Sequence, residues 1–264
     1  MRQLYGEDAT VTTADESKDW LQANRGAEIE AVKPWGWDAR TRNLLMKNGI
    51  QPTMQPLPDD TFLYKLRHFQ HRTSILPLQP HARQADNIQA VSNLLDNCKR
   101  IVLKAPLSGS GRGLRWVDSQ MSEHDIHWTE KTIASQGCVI VEQRINVSDN
   151  FAFEFFIDGH NVSLLCLSLF ETQSGVYRHN ILLNDSDIKS HLHLPDNIEE
   201  NLVIWLDQNL MSWYHGPVGI DMMRDTEGHF HVCEMNLRHT MGMVAHQYLN
   251  THTEKKCSLF KPFF

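Results

Sequence analysis

Two periods of apolar residues alternate along the chain, and each change of period marks the border of an element. Between Asp86 and Lys99, Ile88, Val91, Leu94, Leu95 and Cys98 recur at the three- and four-residue spacing of one helix face. The same stripe returns between Glu199 and His215 as Leu202, Trp205, Leu206, Leu210 and Trp213. Three shorter helices are expected nearer the start. One spans Asp15 to Asn24 and is closed by Gly26; a second follows Asp38 as N-cap and carries Leu44 and Leu45 until Gly49 stops it. The third follows Asp59 and Asp60 as TFLYKLRHFQHR, after a stretch broken by Pro52, Pro56 and Pro58. Around Pro34, Trp35, Gly36 and Trp37 the pattern reads as a short strand or a turn.

Strand patterns occupy much of the rest. Ile101 to Val117 holds an apolar strand bearing Lys104, a loop, and a second apolar stretch; Cys138 to Ile145 reads CVIVEQRI. Phe151 to Asp158 and Asn161 to Leu169 form a hairpin around Gly159. Val218 to Met223, a turn at Arg224 to Gly228, and Phe230 to Asn236 form another, and a helix is expected after Gly242. Helices mixed with hairpins predict an α+β chain.

The last hairpin concentrates oxygen donors. Alternation along a strand puts Phe230, Val232, Glu234 and Asn236 on one side, with Asp221 on the partner strand close enough for the three polar groups to meet on one hard divalent cation or a pair. Mg²⁺ suits such donors. An exposed hairpin with incidental acids is the plainer alternative. His229, His231 and Cys233 fall on the other face by the same rule; a zinc site there lacks a fourth ligand, so an exposed strand face is the simpler account.

The loop after Lys104 alternates Gly109, Gly111 and Gly113 with Ser108, Ser110 and Arg112. Without Cβ atoms in the way, backbone N–H groups in such a loop turn inward around phosphate oxygens, and Lys104 adds a point charge. A flexible turn joining two strands is the alternative for a lone GxGxG. The pattern is not GxxxxGK[ST], and the strand-like LRWV that follows fits a dinucleotide fingerprint poorly.

In order, these features resemble the ATP-grasp superfamily. Asp221, Glu234 and Asn236 are similar to its D…ExN metal set, and EMNLRHTMG (Glu234 to Gly242) resembles the EINPRxTMG ending of a subset of its members. The lysine strand and Ser/Gly loop resemble its flap, and CVIVEQRI resembles its VVEEFI hinge, with Gln143 and Arg144 in place of the usual acid and aromatic. The resemblance covers residues 85 to 245, and residues 31 to 75 loosely.

It implies an ATP-grasp fold of two α+β subdomains clasping ATP: a reduced, partly α/β front region over 1–80, a small subdomain over 81–140 and a large one over 141–264. Lys104, Ser108, Gly109, Ser110, Gly111 and Gly113 would bind the phosphates, and Glu142, Gln143 and Ile145 would line the adenine hinge. Glu154, ahead of Asp149 or Glu142, would accept from the ribose. Asp221, Glu234 and Asn236 would hold Mg²⁺, with Mn²⁺ as the alternative ion; Arg238 would reach the γ-phosphate or an acyl phosphate, and one of Lys65, Arg67 and Arg72 would supply a further cation. The implied activity is an ATP-dependent carboxylate–amine or carboxylate–thiol ligase working through an acyl phosphate. A small-molecule kinase and a non-catalytic ATP-binding scaffold stay open.

Composition narrows the partners. A net charge of −7 argues against non-specific nucleic-acid binding, and the lack of an apolar run of membrane length argues against a membrane span. Five scattered cysteines fit reduced thiols, and a cytoplasmic protein acting on small-molecule carboxylates and amines is expected, with homodimerisation left open.

Overall fold

The computed structural model describes residues 16–23, 29–54, 56–109, 113–252 and 259–260. Its described residues form two antiparallel sheets joined by a short hinge, preceded by a helical front segment.

The front segment contains α1 (Ser17–Ala23), α2 (Ala39–Lys47), α3 (Asp60–Gln70) and a 3-10 helix (Arg72–Leu78), with no strand among its described residues. Asp38 caps α2 by accepting from Thr41 N at 2.6 Å, and Asp59 caps α3 by accepting from Phe62 N at 2.7 Å. Gly49 takes the left-handed φ of 74° expected of a helix stop. The residues around Trp35 are a bend, and Asp15, Asn24 and Gly26 lie outside the described residues.

The smaller sheet runs in the order β1-β4-β2-β3, with β1 Ala82–Ala85, β2 Arg100–Lys104, β3 Leu114–Asp118 and β4 Val139–Gln143. Helices α4 (Ile88–Cys98) and α5 (Glu123–Gln136) cover one face, where Val91 and Leu95 meet Ile101, Leu103, Val139 and Val141. Strand alternation then sends Lys104 and Glu142 to the opposite face. The α5 start is fixed by a capping box between Ser122 and Asp125, and Gly137 closes it at φ 86°.

The larger sheet has the order β10-β7-β6-β5-β8-β9: β5 Val147–Ile157, β6 Val162–Gln173, β7 Val176–Ile181, β8 Gly216–Asp225, β9 Phe230–Asn236 and β10 Leu259–Phe260. On β5, Phe151, Phe153, Phe155 and Ile157 enter the main core, while Ala152 and Glu154 take the other face. That core is completed by α3, by α6 (Asp185–Leu192) and by Leu202 and Leu206 of α7 (Asp196–Asn209). The expected stripe is therefore real, but helix ends at Asn209 and Leu210 and Trp213 follow in a turn. Helix α8 (Met241–Thr251), capped by Thr240, lies across β5, β6 and β7. No described helix is long and apolar enough to cross a membrane.

One irregularity corrects the face assignment made from strict alternation. On the β8–β9 pair Asp221 stands opposite Glu234, but Met222 stands opposite Val232, so Cys233 is an extra residue in β9. The bulge switches faces: Phe230 and Val232 pack on the main core, as does Met235, whereas Glu234 and Asn236 turn away from it. Glu234 does not share a side with Phe230 and Val232, and His231 is not on the face opposite Glu234.

Phe153 is fully buried and stacked on Phe155, with ring centroids 5.9 Å apart. Phe153→Ala is expected to lower the unfolding free energy by about 3–5 kcal/mol, measured by urea denaturation.

Candidate functional site

The face of β8–β9 turned from the core carries a connected polar set. Asn236 Nδ2 donates to Asp221 Oδ2 at 3.1 Å, and Arg238 Nη2 donates to Asn236 Oδ1 at 2.9 Å. Arg238 is steadied from both directions. Its Nη1 donates to His239 O at 3.1 Å, and Gly36 of the front segment rests on its side chain so closely that a Cβ there would lie 2.7 Å from Arg238 Cβ.

Asp221 and Glu234 are directly opposed with little water around Asp221. Burial, and then Glu234, push the Asp221 carboxyl up to about 7 against the pull of Arg238, Asn236 and Arg72. A divalent cation between two opposed carboxylates relieves that repulsion. Among the described residues no three His, Cys, Asp or Glu side chains gather into a complete metal cage. Two carboxylates and an amide oxygen instead match Mg²⁺, which keeps waters and takes further oxygens from substrate phosphates. The residues fit such an ion.

Lys104 and Glu142, on neighbouring strands of the small sheet, form an ion pair at 2.6 Å. Glu142 Oε1 is buried without a hydrogen-bond partner among the described residues. These two charges approach the bulge of the large sheet: the Cys233 thiol, raised by burial, feels Lys104 and Glu142 as well as Asp221 and Glu234. The two sheets adjoin there at one seam.

Arg72 crosses it. From the 3-10 helix its Nη2 pairs with Glu234 Oε2 at 2.9 Å, while Nη1 donates to Ala105 O at 2.5 Å and Ser108 Oγ at 2.7 Å. Of the three cations expected from the front segment, this one reaches the site. Lys65 lies over the Trp213 ring at 6.0 Å, and Arg67 is exposed.

In the flap, Ala105 N donates to Gly113 O at 2.8 Å, and a Cβ on Gly113 would lie 2.2 Å from Ser108 Oγ, so only glycine fits there. Gly109 meets open space, and Ser110 and Gly111 lie outside the described residues. At the hinge, Gln143 is exposed and its N–H donates to His81 O at 3.4 Å, while Arg144 N donates to Arg100 O at 3.0 Å. Ile145 sits in the link from β4 to β5, half-buried.

The ribose assignment for Glu154 is corrected. Its side of β5 is covered by Thr240 and α8, it is only 1% exposed, and Ser168 Oγ donates to its Oε1 at 3.2 Å. A Cβ on Gly242 would lie 2.2 Å from the same oxygen, which leaves no room for a sugar. Burial pushes the carboxyl up to about 8; Thr240 and Ser168 oppose the rise and Asp221 adds to it. Asp149 is engaged elsewhere, with His191 at 2.8 Å and Arg224 at 3.5 Å. On β9, His231 pairs with Asp225 at 2.9 Å and stacks near His81.

No protein-family model matches the sequence, and no curated protein does. Solved structures match the fold. An N5-carboxyaminoimidazole synthetase from Staphylococcus aureus complexed with ADP is 12% identical, with a TM-score of 0.54 over 91% of this chain and 64% of its own. The biotin carboxylase domain dimer of a 2-oxoglutarate carboxylase from Hydrogenobacter thermophilus, with MgADP, ADP and bicarbonate, is 16% identical, with a TM-score of 0.57 over 92% of this chain and 57% of its own. A biotin carboxylase–β-γ-ATP complex from Campylobacter jejuni is 15% identical, with a TM-score of 0.57 over 90% of this chain and 54% of its own. The chain spans less than two thirds of the length of each of these. Its architecture is the ATP-grasp fold.

A buried acid whose folded pKa is raised binds more protons folded than unfolded, so its stabilisation is complete below the unfolded value and is lost as pH rises through the folded one. For Glu154 that window runs from about 4.5 to about 8. Without added divalent cation, resistance to urea is expected to fall across this range, and Glu154→Gln to make the fall shallower. Equal slopes in the two proteins would show that Glu154 is ionised where it stands.

Proposed function

We propose that the chain is an ATP-dependent ligase that joins a carboxylate to an amine or a thiol through an acyl phosphate. The observation that supports this reading is the link made by Arg72, which pairs with Glu234 of the set Asp221, Glu234, Asn236 and Arg238 and donates to Ala105 O, next to the Lys104–Glu142 pair of the small sheet. The ADP, MgADP and ATP-analogue named with the matching structures support a nucleotide at this seam.

In this reading Lys104 gives a fixed positive charge to the inner phosphates, and Ser108, Gly109 and Gly113 shape the flap above them. Asp221, Glu234 and Asn236 would hold Mg²⁺ or Mn²⁺, which supplies charge neutralisation at the β and γ phosphates. Arg238, its fork already oriented by Asn236, receives the carboxylate that attacks the γ-phosphorus and then the acyl phosphate that results. An amine or thiol displaces phosphate from the acyl carbon. Glu142 orients Lys104 through their ion pair. No side chain is required as a nucleophile.

Product analysis tests the proposal. ADP, phosphate and a new amide or thioester mark a ligase, whereas a stable phosphorylated product marks a small-molecule kinase and binding without turnover marks a scaffold. Asn236→Ala and Glu234→Ala are each expected to cut Mg²⁺-dependent ADP release by more than the roughly ten- to hundred-fold typical of outer-shell losses, with cooperative unfolding retained. Undiminished ADP release in both variants would remove these residues from the mechanism.

A further inference from the structure

One guanidinium ties together parts of the molecule that belong to different sheets. Arg72 is 7% exposed, and its fork is divided: Nη1 serves Ala105 O and Ser108 Oγ at the foot of the flap, and Nη2 serves Glu234 on β9. Its own N–H donates to Pro106 O at 3.0 Å, so the flap root is held by backbone and side chain alike. Nε is buried with no partner among the described residues. Three of the five N–H donors are thus engaged, both on Nη1 and one on Nη2.

Glu234 needs a positive neighbour because Asp221 stands directly opposite it. Arg72 supplies that charge here, through the same carboxylate that a divalent cation would use. Both cannot hold Glu234 Oε2 in the same way, so they compete for it. An arginine released from Glu234 keeps its Nη1 contacts with Ala105 O and Ser108 Oγ, and its freed Nη2 becomes a donor that a phosphate oxygen would accept from.

We propose that Arg72 is a positioning residue that holds Glu234 while no divalent cation is bound and yields it when cation and nucleotide enter together, so that nucleotide binding and cation binding are coupled through one side chain. The inference rests on the reading of Asp221, Glu234 and Asn236 as a cation site. It predicts opposite signs for two affinities. Loss of Arg72 removes a competitor for the cation alone, but also removes a tether and a phosphate donor for the cation–nucleotide pair. A purely structural residue would weaken both, and a plain phosphate ligand would leave the cation alone unaffected.

The test uses the full chain, with Mn²⁺ alone titrated by electron paramagnetic resonance and Mg-ATP by calorimetry, in the absence of any acceptor. Arg72→Gln is expected to bind Mn²⁺ alone about three- to tenfold more tightly than wild type and Mg-ATP about tenfold more weakly. Cooperative thermal unfolding of the variant together with unchanged or weaker Mn²⁺ binding would overturn the proposal. Should Arg72→Gln fail to fold, Arg72→Lys keeps the charge on Glu234 and loses the fork, and is expected to leave Mn²⁺ binding at the wild-type value while weakening Mg-ATP. Wild-type affinity for Mg-ATP in Arg72→Lys would overturn it as well. A wild-type protein that binds Mg-ATP but responds to neither substitution refutes the coupling alone, whereas one that binds neither Mn²⁺ nor Mg-ATP refutes the site reading and this inference with it.

Discussion

The constraint on which the site depends is a single extra residue in an antiparallel pair. If β8 and β9 kept register past Asp221 and Glu234, alternation would carry Glu234 and Asn236 onto the face of Phe230 and Val232, which is the face of the main core. A buried carboxylate among those residues would meet the cost of leaving water with nothing to offset it. Cys233 absorbs the mismatch. The apolar half of β9 stays on the core, and the polar half turns to the seam between the sheets, beside the pair formed by Lys104 and Glu142. Bulges often re-aim side chains in this way next to active sites.

Turning acids to that seam solves one problem and creates another. Asp221, Glu234 and Glu142 are half-buried and Glu154 is buried, and each is met by a proton, a cation or a donor. The structure uses all three remedies. Glu142 takes Lys104, Glu234 takes Arg72, and Glu154 is sealed under Thr240 and α8 with its carboxyl raised to about 8. Asp221 is left with an amide donor and an opposing carboxylate, and it is the group raised to about 7. Asp221 thus faces a second carboxylate, and in the proposed site a divalent ion would relieve that repulsion. Glycines make the crowding sterically feasible: a Cβ on Gly219 would lie 2.8 Å from Glu154 Oε2 and 2.6 Å from Thr240 Cγ2.

Much of this was legible in the residue pattern, and what was not has identifiable causes. Strong periodicity announced α4, the β5–β6 and β8–β9 hairpins and the caps at Asp38 and Asp59, because burial and capping there are local properties of the sequence. Strand β1 (Ala82–Ala85) was not legible: ARQA has too few apolar residues to signal anything, and it exists because β4 offers it an edge. Helix α5 has a weak apolar stripe and buries two threonines, which bond back to the carbonyls of Asp125 and Trp128. The oxygen donors Asp221, Glu234 and Asn236 were found by spacing, yet the faces assigned to them were wrong, since a bulge leaves no mark on composition. Glu154 was assigned to the ribose because nothing nearby in the sequence marks it as buried: α8, which covers it, comes from far along the chain. Arg72 was one of three plausible cations, and only the fold brings it rather than Lys65 or Arg67 to Glu234.

The described residues of the front segment form helices that pack beside the large sheet. Besides packing α3 on the main core and donating from Gln79 to Val232 O and Cys233 O, the front segment reaches the polar set at two places. Arg72 holds Glu234, and Gly36 lies against Arg238 while Trp35 O accepts from His239 N at 2.8 Å. Glu234 and Arg238 flank Asn236 by two residues on either side, so the front segment braces both shoulders of the cation set at once. Neither brace relies on a large interface: one is a buried ion pair, the other a backbone laid directly on a side chain. His239 adds to the second, because burial and then Lys33 lower it to about 4 and keep its ring neutral against the Trp35 indole, 6.0 Å away. The orientation of Glu234 and Arg238 therefore depends on where the front segment touches them, through Arg72 and through Gly36.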